Sequence, residues 1–395
     1  MATIPFAGRL EAIGFSSSQA SALRVRALRQ AGVRVHDFGS KLDTPAHIKA
    51  AAQRYLESPA ASLYADPHGL PELRQAIARK MARDGRVPPD PGAEVTVTPG
   101  GKMAILATLL ALVGPGDEVL MEDPGWLGFE PMVRLSGATP TPLPLREEDE
   151  FRFRLGDLRA AITPRTRVLI LCNPHNPTGR ILARADLEAI AQVAIERNLV
   201  VIMDEAYDQF LFDGLVHVGM ADLAGMRERT VTVNTASKIY NMFGWRVGWV
   251  VAPAAITDKI RLVCVHSFTC VTSFAQAGAA AALEGETAQG TLTGPELARQ
   301  YQDQRDALVA GLRAIPGVTC TLPRGAYFAF PNFSRFGLSS QELSDRFIAH
   351  ARVAGLPGSV FGAQGEGYIR FVFNAPAAEI AEGVEVLRQY CSTLR

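Results

Sequence analysis

Asp204 closes the apolar run Leu199-Val200-Val201-Ile202-Met203, where burying a carboxylate without a cation is costly. A protonated aromatic nitrogen would offset that cost. Lys238 follows Thr235-Ala236-Ser237 at the end of a second such run. A lysine enclosed in a site has its pKa lowered and can form imines, whereas one left at the surface is merely solvated. Arg370 stands inside Tyr368-Ile369-Arg370-Phe371-Val372-Phe373, and a guanidinium there needs an anion. Either a structural carboxylate or that of a small substrate would serve.

Further polar groups follow other apolar runs. Pro99-Gly100-Gly101-Lys102 opens a helix, and a Gly-Gly turn there exposes backbone N–H groups. Gly101 and Lys102 therefore either cradle a phosphate or form a plain strand-to-helix turn. Trp126, in Asp123-Pro124-Gly125-Trp126, either packs in the core or covers a planar heterocycle. Asn176, between prolines in Asn173-Pro174-His175-Asn176-Pro177-Thr178-Gly179, either shapes a turn or binds a ring oxygen. Tyr207 lies in Asp204-Glu205-Ala206-Tyr207, and Arg246 in Gly244-Trp245-Arg246 is suited to a phosphate or to a loop ion pair.

The elements that must hold these groups are legible in the pattern. Strands are expected over 94–98, 118–122, 168–172, 199–203, 231–234 and 248–251. Helices alternate with them: Met103 to Val113 forms one, and Leu187, Ile190, Ala191, Ala194 and Ile195 mark the apolar face of another. Such alternation implies an α/β fold with a mainly parallel sheet flanked by helices on both faces. Ligands of open α/β sheets bind beyond the carboxyl ends of the strands, where five of these polar segments collect. The last third differs, with strands over 326–330 and 368–373, a helix over 340–354 opened by a Ser339/Glu342 capping box, and a final helix from Ala377. We expect a large α/β unit over residues 46–288 and a smaller α+β unit made of 1–45 with 289–395. The first 45 or so residues should join the C-terminal unit or embrace a second subunit. The stretch from Thr139 to Leu145 is Pro-rich, but it is short and sits between ordinary segments.

Lys+Arg and Asp+Glu both number 40, so charge points to neither nucleic acid nor membrane. No apolar run is long enough for a transmembrane helix, and no signal peptide is evident. Five scattered cysteines without a C-x-x-C pair suggest reduced thiols in the cytoplasm and no zinc site.

Asn173 to Gly179 (N-P-H-N-P-T-G), Asp204 to Tyr207 (D-E-A-Y) and Ser237 to Gly248 (S-K-x-x-x-M-F-G-W-R-x-G) together resemble the class I/II aminotransferases of PLP (pyridoxal 5'-phosphate) fold type I. The branch of bacterial aspartate and aromatic aminotransferases is most similar, from about Arg9 to the C-terminus. The resemblance implies a Schiff-base lysine at Lys238, which is also the general acid/base. It implies Asp204 on the pyridine nitrogen, Tyr207 and Asn176 on the ring hydroxyl, and Trp126 stacked on the ring. Gly101, Lys102, Thr235, Ser237 and Arg246 would hold the phosphate. Tyr64 would reach the partner's phosphate in a homodimer with shared active sites. Arg370 would clamp the substrate carboxylate, with a Gly39 N–H nearby. The substrates would be an L-amino acid and a 2-oxo acid.

Two segments depart from the family pattern. Phe38-Gly39-Ser40-Lys41-Leu42-Asp43 replaces the usual G-E-P-D-F, and Thr269-Cys270-Val271-Thr272 stands where S-N-P-T is usual. Val265 and His266 occupy the region of the arginine that marks the aspartate-specific subgroup. Dicarboxylate specificity is therefore not expected from the motifs. A PLP-dependent lyase, synthase or cyclase shares the same first steps and is the alternative. A transcription regulator on this fold would need an additional DNA-binding domain ahead of it, and neutral charge argues against that.

Overall fold

The computed structural model describes residues 7–11, 13–14, 17–39, 42–285 and 294–394; Ser40 and Lys41 lie outside them. Strands β1 (Val95–Thr98), β2 (Glu118–Asp123), β3 (Thr139–Pro144), β4 (Thr166–Cys172), β5 (Val200–Asp204), β6 (Thr230–Thr235) and β7 (Gly248–Val251) form one sheet. Its order is β1-β7-β6-β5-β4-β2-β3. All neighbours are parallel except β7, which runs against both β6 and β1. Because β7 reverses, β1 and β6 point the same way, and their carboxyl ends fall on the same edge as those of β2, β4 and β5.

Side chains of these strands alternate between two cores. Val168, Ile170 and Cys172 of β4 join one cluster, and Leu169 and Leu171 join the other. Helix Gly101–Leu112 covers the first face with Ala104, Ile105 and Ala107. Helix Arg184–Glu196 covers the second with Leu187, Ile190, Val193 and Ala194, while Ile195 falls at the edge of the stripe and is 42% exposed. Each fully buried leucine or isoleucine stabilises the fold by about 1.5–3 kcal/mol.

The Pro-rich stretch, not among the expected strands, forms β3. The N–H groups of Thr139 and Leu145 donate towards β2, to Asp117 O and Asp123 O at 2.9 and 2.7 Å. Pro140, Pro142 and Pro144 fall on the alternate positions of this edge strand, where an N–H would face away from its single neighbour.

The C-terminal unit carries an antiparallel sheet of β8 (Phe328–Ala329), β9 (Leu356–Pro357) and the central β10 (Ile369–Val372). Helices Gly294–Arg313 and Ala377–Cys391 pack together beside it. β8 is shorter than expected because Ala326 turns to φ +57. The expected helix over 340–354 is α-helical only over Ser340–Arg346, then widens to a π turn over Phe347–Ala351 and stops at Arg352, φ +58. Its capping box forms as expected, Ser339 Oγ accepting from Glu342 N–H at 3.2 Å. Some described N-terminal residues contact this unit, His36 bridging Val353 and the buried Phe38 ring meeting Phe371 at 5.6 Å, while Gly8–Leu10 packs against helix Phe129–Ser136. Among the described residues no helix is long and apolar enough to cross a membrane.

Candidate active site

The strand ends of β1, β2, β4, β5 and β6 surround a cavity of about 340 Å3. It is lined by ten of the expected positions: Gly101, Lys102, Trp126, Asn176, Asp204, Tyr207, Thr235, Ser237, Lys238 and Arg246. Two of the thirteen, Tyr64 and Gly39, lie elsewhere, and Arg370 reaches it through Asn176.

One end of the cavity is built for an anion. Helix Gly101–Leu112 begins there with no side-chain cap, so its first N–H groups are unpaired by the fold. Thr235 Oγ1 and Ser237 Oγ are buried and 2.9 Å apart, and Thr235 also donates to Val247 O at 2.9 Å. Arg246 is exposed, and among the described residues its guanidinium bonds only carbonyls, Phe243 O at 3.1 Å and Pro99 O at 3.3 Å. Two glycines permit this approach. Gly100 sits at φ +82, ψ 165, and a Cβ there would lie 2.2 Å from Arg246 Nη2. A Cβ on Gly248 would meet Gly101 N at 2.5 Å.

The same lining also carries a buried carboxylate. Asp204 is 7% exposed, and burial is the main cause that pushes its carboxyl up to about 6. The Ala206 N–H at 3.1 Å and the charge of Lys238 oppose that rise, while Glu205 and Glu122 add to it. Lys238 Nζ lies over the rings of Tyr207, Phe243 and Tyr327 at 5.5, 5.1 and 6.0 Å. Burial holds the Tyr207 phenol well above its usual range, so it stays a neutral donor. Trp126 meets Phe129 edge-on at 5.2 Å.

Arg370 answers the choice left open by its sequence: no ion pair to a carboxylate forms among the described residues. Its Nη1 donates to Asn176 Oδ1 at 3.1 Å, and its buried Nε has no partner. Burial pulls the guanidinium down to about 10, so it is still charged at neutral pH. Asn176 is held by a compact loop in which Asn173 Oδ1 accepts from Leu182 N–H at 2.9 Å and His175 Nδ1 meets Thr178 Oγ1 at 2.7 Å. Burial keeps that histidine neutral. Tyr64 is 88% exposed and clear of the cavity. Gly39 lies beside Val372 and Asn374, and its N–H donates to Asp37 Oδ1 at 3.3 Å.

Sequence reasoning missed several groups. Glu205 is fully buried, yet Arg86 and His217 outweigh that burial and draw its carboxyl down to about 2. Arg86 is 119 residues away in the chain, so no local pattern announces the pair. Tyr327 and Phe243 beside Lys238 were not singled out in the sequence, and only their place next to the lysine gives them significance.

The chain matches the family described as Aminotransferase class I and II over residues 33–387. It is 38% identical to an aspartate aminotransferase of Pyrococcus abyssi, covering 90% of this chain and 89% of that protein. It is 36% identical to the aromatic-amino-acid aminotransferase 2 of Thermococcus litoralis, covering 90% and 89%. A crystal structure of an aromatic aminotransferase from Pyrococcus horikoshii superposes with TM-score 0.86 at 36% identity, covering 93% of this chain and 98% of that one. The chain belongs to the class I and II aminotransferases. It is an enzyme that transfers an amino group between an amino acid and a 2-oxo acid, a chemistry the lyase and synthase alternative does not share. Members of this family generally depend on PLP.

Proposed function

We propose that this aminotransferase holds PLP in the strand-end cavity, anchored by Lys238, and acts on an L-amino acid bound at Arg370. The observation that carries the reading is Asp204, an enclosed carboxylate that joins no ion pair among the described residues, in one cavity with an uncapped helix end. A dianionic phosphate suits Gly101, Lys102, Thr235, Ser237 and Arg246, and a protonated ring nitrogen suits Asp204. When bound, PLP supplies an aldehyde and an electron-accepting ring.

The remaining work belongs to the chain. Lys238 Nζ takes the α-proton of the substrate and holds it for return. Asp204 keeps a proton on the ring nitrogen that faces it. Tyr207 O–H and the Asn176 amide donate to the ring oxygen, since Asn176 Oδ1 is already engaged by Arg370. Trp126 covers the ring face. Arg370 fixes the substrate carboxylate with its free donors and so orients the Cα–H bond. Exposed Tyr64 suits a homodimer in which it reaches the partner's phosphate site. The division into 46–288 and 1–45 with 289–395 would then separate the cofactor unit from a smaller unit that brings Arg370. Five free cysteines suit a reducing compartment such as the cytoplasm.

The test supplies amino acids one at a time to the PLP-loaded protein and follows the visible absorbance of the lysine-bound cofactor. A suitable amino acid should bleach it, and a 2-oxo acid should restore it. Ammonia release without restoration would contradict the reading. Gly100→Ala is expected to weaken PLP binding by roughly tenfold, because the Gly-only backbone conformation is strained by about 1–3 kcal/mol and Arg246 is displaced. Titration of the cofactor-free variant with PLP measures this.

A further inference from the structure

The end of β2 does more than present Trp126. Asp123 is the last residue of that strand, 6% exposed, and joins no ion pair among the described residues. Its Oδ1 accepts the N–H of Gln364 at 3.0 Å, and the Ala363 N–H also donates to this carboxyl. Gly125 N–H donates to Phe361 O at 2.7 Å. Gly362 lies between these contacts at φ +127, where a Cβ would sit 2.0 Å from Asp123 Oδ1. Residues 358–366 thus form a strap across the strand end. The strap carries Phe361, 3% exposed, whose ring lies 5.0 Å from the Arg370 guanidinium carbon. Phe328 covers the guanidinium at 4.5 Å.

We propose that Asp123 is a positioning residue for the substrate carboxylate, holding the strap at the height where Phe361 and Phe328 together fix the Arg370 guanidinium. The inference rests on the reading of Arg370 as the carboxylate clamp. Among the described residues Arg370 has a single side-chain hydrogen bond, to Asn176, so the aromatic contacts carry much of its orientation. The strap does not need Asp123 merely to fold. A Cβ on Gly358 would meet Gly365 O at 1.9 Å, so the loop is closed on itself, and Glu366 Oε1 accepts from Ser340 N–H at 2.7 Å. Asp123 ties this preformed loop to the strand end, beside the bond from Gly125 N–H to Phe361 O, and so sets the height of Phe361 over Arg370.

The experiment compares single-turnover rates of the PLP-loaded enzyme with two substrates. One is the best of L-phenylalanine, L-leucine and L-arginine, and the other is the amine left when its carboxyl group is removed. Asp123→Ala is expected to slow the amino acid roughly 10- to 100-fold while changing the amine by less than about twofold. Asp123→Asn keeps an Oδ1 acceptor and should recover the amino-acid rate to within about threefold. Phe361→Leu, which leaves the tie intact, should show the same selective loss and carries the test if Asp123→Ala does not fold. Equal losses on both substrates, or no loss, overturn the inference. Arg370→Leu separates the two levels. If it abolishes the preference for the amino acid while Asp123→Ala and Phe361→Leu do not, the strap inference alone fails. If Arg370→Leu keeps the preference, the clamp reading fails and the inference with it.

Discussion

Lys238→Ala protein is expected to fold and to transfer amino groups roughly 10^4-fold more slowly than the parent, the upper range for removing a general acid/base. Lys238 is half-buried, and its contacts are three aromatic rings. Losing those cation–π contacts destabilises by only about 0.5–2 kcal/mol, so the defect should be chemical and not a failure to fold. Two measurements check this. Borohydride reduction followed by peptide mapping should place the cofactor on Lys238 in the parent and on no lysine in the variant. The amino-acid half-reaction, followed by stopped flow, should be lost while circular dichroism is unchanged. Cofactor found on a different lysine in both proteins would sink the assignment.

Asp204→Asn should have opposite effects on the empty and the loaded protein. In the empty protein burial raises the Asp204 pKa from 3.8 to about 6. Between those two values the unfolded chain loses its proton while the folded chain keeps it, so stability falls as pH rises. A shift of about two pKa units corresponds to roughly 3 kcal/mol, fully felt above the folded pKa and absent below the unfolded one. Asparagine carries no such penalty. Cofactor-free Asp204→Asn should therefore melt higher than the parent at pH 8 and similarly near pH 3.5. With PLP bound the ring cation stabilises the carboxylate, which asparagine cannot replace, and turnover should drop roughly 10^2- to 10^3-fold. Thermal melts of both proteins at the two pH values, with kcat of the loaded forms, decide the matter. A variant less stable than its parent at pH 8 would show that Asp204 already has a cation partner.

Much of this arrangement was legible because the sheet strands are short apolar runs whose polar punctuation falls at one end. Six of the seven large-sheet strands and ten cavity positions follow from that pattern. β3 escaped because its prolines usually forbid pairing, and only its place at the sheet edge makes them harmless. The Arg86–Glu205 pair and the Asp123 strap escaped for a different reason. Both join segments more than a hundred residues apart, through contacts that have no periodicity. Arg370 was flagged as a charge in need of an anion, but spacing could not say that no carboxylate pairs with it among the described residues. Gly39 was carried by motif alone, and the backbone there turns its N–H to Asp37.

The reversal of β7 has a consequence for the order in which the enzyme becomes competent during synthesis. The proposed phosphate cradle has Gly100 and Gly101 pressed against Gly248, and Arg246 reaches Pro99 across 147 residues. A ribosome-bound chain therefore cannot assemble the cradle until residues near 248 have left the exit tunnel, although its helix end was made long before. Arg370 emerges later still. A chain arrested between those points would present an anion-binding surface with no means of selecting amino acids, and would expose the partly covered sheet to premature association.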